Sequence, residues 1–205
     1  MSSRLPKERR RHLDQYFTPD ELAMRLVATA WKVSRSKNGL DPHVGGGAFA
    51  RALKAFGIFP AGMDLDPNSP GKIDCGRFTS GDFLTTAPPE LQSGYSMVIG
   101  NPPYTDAQDH VVRALEVSDR HVFFLLRLGF LESAKRLPFW REYPCRRVWV
   151  LSSRPSFTGN GRHDSCAYGW FWWDKSWIES KASRIDSMEL AILDNTPAAP
   201  PVRTP

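Results

Sequence analysis

Asn101-Pro102-Pro103-Tyr104 follows the apolar run Met97-Val98-Ile99, which puts a polar and aromatic turn where a buried strand should end. The two prolines restrict the backbone and remove amide donors. The side-chain oxygen of Asn101 and the carbonyl of Pro102 remain as acceptors that can converge on one amino group, and Tyr104 offers a face on which a flat substrate can stack. Read alone, the tetrapeptide is equally a proline-stiffened turn after a strand.

A second group lies upstream, where Asp41-Pro42-His43-Val44-Gly45-Gly46-Gly47-Ala48-Phe49 leads into the helical spacing of Phe49, Leu53 and Phe56. Glycines let a backbone approach a ligand closely, and a helix start offers unpaired amides. The loop lacks the Lys-Ser/Thr ending of a phosphate loop and the spacing of the dinucleotide fingerprint, which argues against nucleoside triphosphates and nicotinamide cofactors. Ile58 to Met63 reads as a second strand that delivers Asp64, with Asp66 two positions later. An acidic side chain at a strand tip, roughly 20 residues after a glycine loop, suits a pair of ribose hydroxyls. Ser80-Gly81-Asp82-Phe83 then ends a third segment with an acceptor beside a ring, which suits an adenine amine and its face. Each acidic residue alone reads as a solvated turn residue; their order along the chain carries the signal.

With these residues the chain resembles the S-adenosylmethionine-dependent amino-methyltransferases, specifically the DNA adenine N(6) methyltransferases of the small phage or mobile-element type. The resemblance spans roughly residues 14 to 175 and rests on Asn-Pro-Pro-Tyr, the upstream Asp-Pro-x-x-Gly-x-Gly and Gln15-Tyr16-Phe17-Thr18-Pro19. It implies that Tyr16, Phe17 and Thr18 close over the methionine end of the cofactor, and that Asp41, Gly45 and Gly47 surround its amine and carboxylate. Asp64 would take the ribose hydroxyls, Leu65 would lie against the cofactor adenine, and Asp82 and Phe83 would hold its amine and ring. Asn101, Pro102, Pro103 and Tyr104 would form the catalytic turn around the target base. Thr18 is also a candidate helix cap, with Pro19 at the first helical position. The chain departs from the family pattern at His43, where a small or apolar residue is usual, and at Gly46, where a polar one is.

The loop Arg154 to Asp164 resembles a segment in which an aromatic residue helps to hold the extruded base, and Phe157 is the candidate for the face opposite Tyr104. Arg154, Arg162 and His163 are placed to meet phosphates. The net charge of +5 conceals +4 over residues 1–12 and +6 over residues 127–162, leaving −5 elsewhere. Neutralising phosphates releases counterions, so DNA is the expected partner, double- or single-stranded. Two alternatives are weaker: methylation of a glutamine amide in a protein, and a non-catalytic nucleic-acid-binding module. The first usually carries an added helical amino-terminal domain, whereas only about 35 residues precede the first strand here.

These residues need a scaffold. Helical spacing over Asp20 to Val33 and Ala107 to Val117 alternates with strand-like runs at His121 to Leu128, Arg147 to Leu151 and Ala167 to Trp173, and a helix is expected near Leu131 to Trp140. This alternation predicts a Rossmann-like α/β fold of class I methyltransferase type: a mostly parallel, seven-stranded sheet with helices on both faces. The cluster Trp170, Phe171, Trp172 and Trp173 reads as core. The 205 residues suffice for one such domain over 13–194, between a basic arm (1–12) and a proline-rich tail (195–205). No apolar stretch is long enough for a membrane span, and Cys75, Cys145 and Cys166 have no metal-ligand spacing. A cytoplasmic enzyme needing neither metal nor membrane is the expectation.

Overall fold

The computed structural model describes residues 17–86, 94–157, 163–180 and 187–196. Helix α1 (Asp20–Ser34) precedes β1 (Asn38–Asp41), α2 (Ala48–Ala55), β2 (Phe59–Asp64), β3 (Arg77–Ser80) and β4 (Tyr95–Gly100). Helix α3 (Ala107–Val117), β5 (Ser118–Arg127), α4 (Leu137–Glu142), β6 (Arg147–Leu151), β7 (Tyr168–Asp174), α5 (Lys175–Glu179) and β8 (Glu189–Leu193) complete the order.

The described strands form one eight-stranded sheet, ordered β3-β2-β1-β4-β5-β7-β6-β8. Only β7 runs antiparallel to its neighbours. The expectation of seven strands is therefore corrected by β8, which adds in parallel to β6 at the sheet edge. Its outward residues Leu190 and Ile192 are exposed, so the buried face that makes a strand legible in sequence is only half present. The helix expected near Leu131 to Trp140 is also shorter, with 3-10 turns at Leu128–Phe130 and Ala134–Arg136 before α4. Pro138 sits in the first turn of α4, where its missing amide and fixed φ favour a helix start over a helix interior.

Helix α1 buries Leu22, Leu26, Val27 and Ala30 along one stripe and carries Asp20 and Glu21 in its first turn and Lys32 in its last, charges that oppose the helix dipole. It begins one residue later than expected: Pro19 is the capping position, and no side chain caps the helix. Strands β5 and β7 are buried on both faces. Phe123, Leu125, Trp170 and Trp172 point to the layer of α1 and α2, while Val122, Phe124, Phe171 and Trp173 point to that of α3 and α4. The four-residue aromatic run is thus core, as read from sequence. Phe49 of α2 stacks on Trp170 at 5.8 Å and 8°, which locks the helix after the glycine loop to the strand that begins at Tyr168. Truncating Trp170 to alanine would cost about 3–5 kcal/mol at such a site.

Candidate active site

The order of strands reverses between β1 and β4, which pair in parallel through Gly39–Met97 and Leu40–Val98. A crevice forms outside the carboxyl ends of strands at such a switch point. Asp41 ends β1 and Asn101 directly follows β4, so the two motifs read from sequence meet across this switch.

Gly45 and Gly47 have φ of 48° and 80°, a region costly for residues with a Cβ. A Cβ on Gly47 would also lie 2.6 Å from Asp74 Oδ2 and 2.7 Å from Gly71 Cα. Gly46 differs: a Cβ there would meet nothing nearer than the Phe17 ring at 3.7 Å, so the departure from the family pattern does not alter the turn. Gly47 caps α2 without a side-chain bond, leaving the amides of the first turn available to a carboxylate.

Asp41 is 1% exposed. Its Oδ1 accepts from the His43 amide at 3.0 Å, while Oδ2 has no hydrogen-bond partner. Burial, reinforced by the charge of Asp64 and opposed by the His43 amide, pushes its pKa up to about 7. A buried carboxylate oxygen without a partner fits an ammonium group. The imidazole of His43 turns away, with Nε2 2.9 Å from Nδ1 of His110 on α3. Phe83 is buried and stacks on His110 at 6.0 Å. Burial and the neighbouring His110 hold the His43 pKa well below the ordinary histidine value, so its ring is neutral and the atypical residue serves as a strut between the glycine loop and α3.

Asp64 ties the tip of β2 to the glycine loop. Its Oδ2 accepts from the Gly45 amide at 2.8 Å and from Ser69 Oγ at 3.1 Å, and its Oδ1 accepts from the Asp66 amide at 3.0 Å. Ribose hydroxyls would share or replace these bonds. Leu65 is exposed, and Asp82 accepts from the Leu84 amide at 3.0 Å through Oδ1. Ser69, followed by a 3-10 turn over Pro70–Asp74, was not singled out in the sequence. The Asp66-Pro67-Asn68-Ser69-Pro70 run signals a turn, but not that the turn folds back onto Gly45.

The catalytic turn packs against the amino-terminal segment. Asn101 Nδ2 donates to Thr18 Oγ1 at 3.3 Å, and Asn101 Oδ1 accepts from the Tyr104 hydroxyl at 2.8 Å. Pro102 is buried, and Pro103 precedes the 3-10 turn that carries Tyr104. Tyr104 is half-buried; its desolvated hydroxyl is pushed well above the ordinary tyrosine range. The Arg127 guanidinium lies over its ring at 4.7 Å, and the Tyr168 ring is 5.7 Å away. Phe157 also packs on Tyr168, edge-on at 5.3 Å. Arg154 is exposed; Tyr16 and Arg162 lie outside the described residues. Arg127 and Tyr168 escaped the sequence reading, although a charge ending an apolar run at the same sheet edge is the signal that could have found Arg127.

Two spaces adjoin these groups. A cavity of about 20 Å³ touches Phe17, Thr18, His43, Gly45 and Asn101, room for little more than one water. A groove of about 450 Å³ runs past Phe17, Asp20, Arg51 and Phe157. Phe17 and Thr18 line both spaces, and Thr18 is bonded to Asn101, so this segment borders the approach to the turn. Within the basic stretch, Arg146 and Arg147 pair with Glu189, and Arg136 donates to the Gly129, Phe130 and Glu132 carbonyls. Lys135, Arg141 and Arg154 are exposed. No helix among the described residues is long and apolar enough to cross a membrane.

No protein-family model and no curated protein matches the chain. Solved structures do. A Pyrococcus horikoshii protein provisionally assigned as an RNA methyltransferase superposes with a TM-score of 0.63 at 16% identity, over 85% of this chain and 92% of that one. A Listeria monocytogenes protein provisionally assigned as a class I S-adenosylmethionine-dependent methyltransferase gives 0.61 at 14% identity, over 86% of this chain and 65% of that one. The M protein of the type I restriction enzyme EcoKI gives 0.57 at 16% identity, over 78% of this chain but 44% of that one. At these identities the likeness defines the fold: a Rossmann-like class I methyltransferase fold.

Proposed function

We propose that the chain transfers the methyl group of S-adenosylmethionine to the exocyclic N(6) amine of adenine in DNA. The observation that carries the reading is the meeting of an unpartnered, buried Asp41 oxygen with the Asn101-to-Tyr104 turn across one topological switch point. When bound, S-adenosylmethionine would supply an electrophilic methyl group on a sulfonium: the N–CH3 bond forms as the S–CH3 bond breaks, S-adenosylhomocysteine leaves with the electron pair, and the surplus amine proton passes to solvent. Asp41 Oδ2 would hold its ammonium, the start of α2 its carboxylate, and Asp64 its ribose. The substrate amine is a poor nucleophile because its lone pair is delocalised into the purine. Asn101 Oδ1 and the Pro102 carbonyl, accepting one hydrogen each, draw that nitrogen toward tetrahedral geometry and aim its lone pair at the methyl carbon. Asn101 Oδ1 can take the amine hydrogen while keeping the Tyr104 bond, since an amide oxygen has two lone pairs. The base must leave its stack to reach this turn, and Tyr104 supplies the replacement stacking, worth about 1–3 kcal/mol.

The test is incubation with a labelled methyl donor and, separately, DNA, RNA and a glutamine-bearing protein substrate. Label in N(6)-methyladenine of DNA supports the proposal. Label confined to RNA would move the substrate class, label in a glutamine side chain would establish the amide-methylating alternative, and binding to DNA without transfer would favour the non-catalytic one.

A further inference from the structure

Arg127 ends β5 on the same sheet edge as Asn101, directly across from Tyr168 in the β5–β7 ladder. Contacts to Tyr104, Tyr168 and Asp164 hold its guanidinium. The ring of Tyr104 lies beneath it at 4.7 Å, its Nε donates to the Tyr168 hydroxyl at 3.3 Å, and its Nη2 is 4.0 Å from Asp164 Oδ2. The Tyr168 hydroxyl in turn donates to Asp164 Oδ2 at 3.0 Å. A planar cation therefore stacks on Tyr104, the ring on which the adenine reading seats a base.

We infer that Arg127 is the second plate of the base seat: it holds the stacking face of Tyr104 and draws back by one ring thickness to cover the far side of the incoming purine. This deepens the adenine reading and rests on it. The 4.7 Å spacing leaves no room for a third ring, so the guanidinium has to shift when a base enters. Its bonds to Tyr168 and Asp164 come from β7 and the segment before it, so they hold it beside the seat as it moves. A guanidinium is suited to this task because it is planar and weakly hydrated, and it stacks on nucleobases and aromatic rings alike. An ammonium has the charge without the plane. Phe157, the face expected from sequence, packs edge-on against Tyr168 at 5.3 Å and lines the neighbouring groove, which suits it to the path of the strand more than to the second plate.

The experiment compares the full chain with its Arg127→Lys and Arg127→Gln variants, using an adenine-containing oligonucleotide and S-adenosylmethionine. Both variants keep a donor for Tyr168, and thermal melting confirms that each is folded. Stacking by a guanidinium predicts a KM for the oligonucleotide raised roughly tenfold or more in Arg127→Lys, with the KM for S-adenosylmethionine unchanged. The dependence of log KM on log salt stays parallel to that of the parent, because the charge is retained. A 2-aminopurine placed at the target position is quenched less in the Arg127→Lys complex than in that of the parent. If Arg127→Lys matches the parent while Arg127→Gln fails with a shallower salt slope, the residue serves phosphate and the inference is overturned. Parent-like KM and quenching in both variants also overturn it. Failure of the parent chain to methylate adenine in any nucleic acid removes the underlying reading, an outcome recognisable before any variant is made.

Discussion

The two halves of the site are built differently. On the cofactor side, Asp41, Gly45, Asp64, Asp66 and Ser69 are joined by bonds in which a backbone amide or carbonyl is nearly always one partner, and the residues bridged are at most 24 positions apart. On the substrate side the bonds run between side chains: Thr18 to Asn101 and Arg127 to Tyr168 join positions 83 and 41 apart, and Tyr168 to Asp164 adds a local link. Backbone-built sites tolerate little movement, because the turn itself defines them. Side-chain networks can re-pack, as a seat must when a base replaces a guanidinium. On the proposed reading, the backbone-built half is formed in advance for the cofactor, whereas the side-chain half has the freedom to re-pack around a substrate.

Substitutions should divide along the same line. The largest effect is expected for Asn101→Ala, which removes the acceptor proposed for the substrate amine, one it shares with the Tyr104 hydroxyl but with no group assigned to the cofactor. Turnover should fall on the order of 10²–10³-fold, while calorimetry reports nearly unchanged cofactor affinity; full turnover would take Asn101 out of the mechanism.

Asp41→Asn is the counterpart on the other side. Losing a charge-assisted bond to an ammonium should weaken cofactor binding by about 10–150-fold, with no direct effect on stacking. The parent chain should show a matching pH dependence. Asp41 titrates near 7 in the folded protein, and an ammonium ligand binds its ionised form, so affinity should fall by about tenfold per pH unit below 7 and level off above it. Stability runs the other way. With a folded pKa raised above the usual carboxylate value, the native state holds the proton longer than the unfolded chain, so this group costs stability increasingly as pH rises from about 4 to 7. Melting curves of Asp41→Asn should therefore gain on those of the parent across that window, and parallel curves would contradict the burial of an unpaired carboxylate.

Tyr104→Phe keeps the plate and removes the hydroxyl that orients Asn101. A loss of about 2–10-fold in kcat is expected, with the oligonucleotide KM held, and a change in KM alone would show that the hydroxyl contributes to binding. Substitutions in the glycine loop should act on stability and not on turnover, and neighbours there should differ. Gly47→Ala forces a Cβ into a left-handed turn against Gly71 and should destabilise the fold by about 1–3 kcal/mol. Gly46→Ala meets only the Phe17 side chain at an ordinary 3.7 Å contact and should leave both the melting temperature and cofactor affinity within error.

The local features were legible because local chemistry produces them. The helix at Ala107–Val117 and the strand at Arg147–Leu151 occur at the residues where periodicity places them, since a buried stripe or run has to be apolar. The Trp170-to-Trp173 run was assignable to the core for the same reason. Strand β8 was harder to read because its outward face is exposed, and the split near α4 because apolar residues continue through Gly129 and Pro138 while the backbone does not.

In the site, order along the chain pointed to Asp64 and the Asn101 turn, the resemblance added Asp41, and the parallel sheet brings the ends of their strands to one edge. What that order leaves open is which side chains become partners across the edge. The His43–His110 strut, the fold-back of Ser69 onto the glycine loop and the placement of Arg127 over Tyr104 join residues distant in the chain, and no periodicity encodes a contact of that kind. The chain's own pattern determined an alternating α/β protein with acceptors at its strand ends. Only tertiary packing decided that one Asp41 oxygen is left without a partner and that a guanidinium covers the plate beside Asn101, because burial and cross-strand register exist only once the sheet has closed.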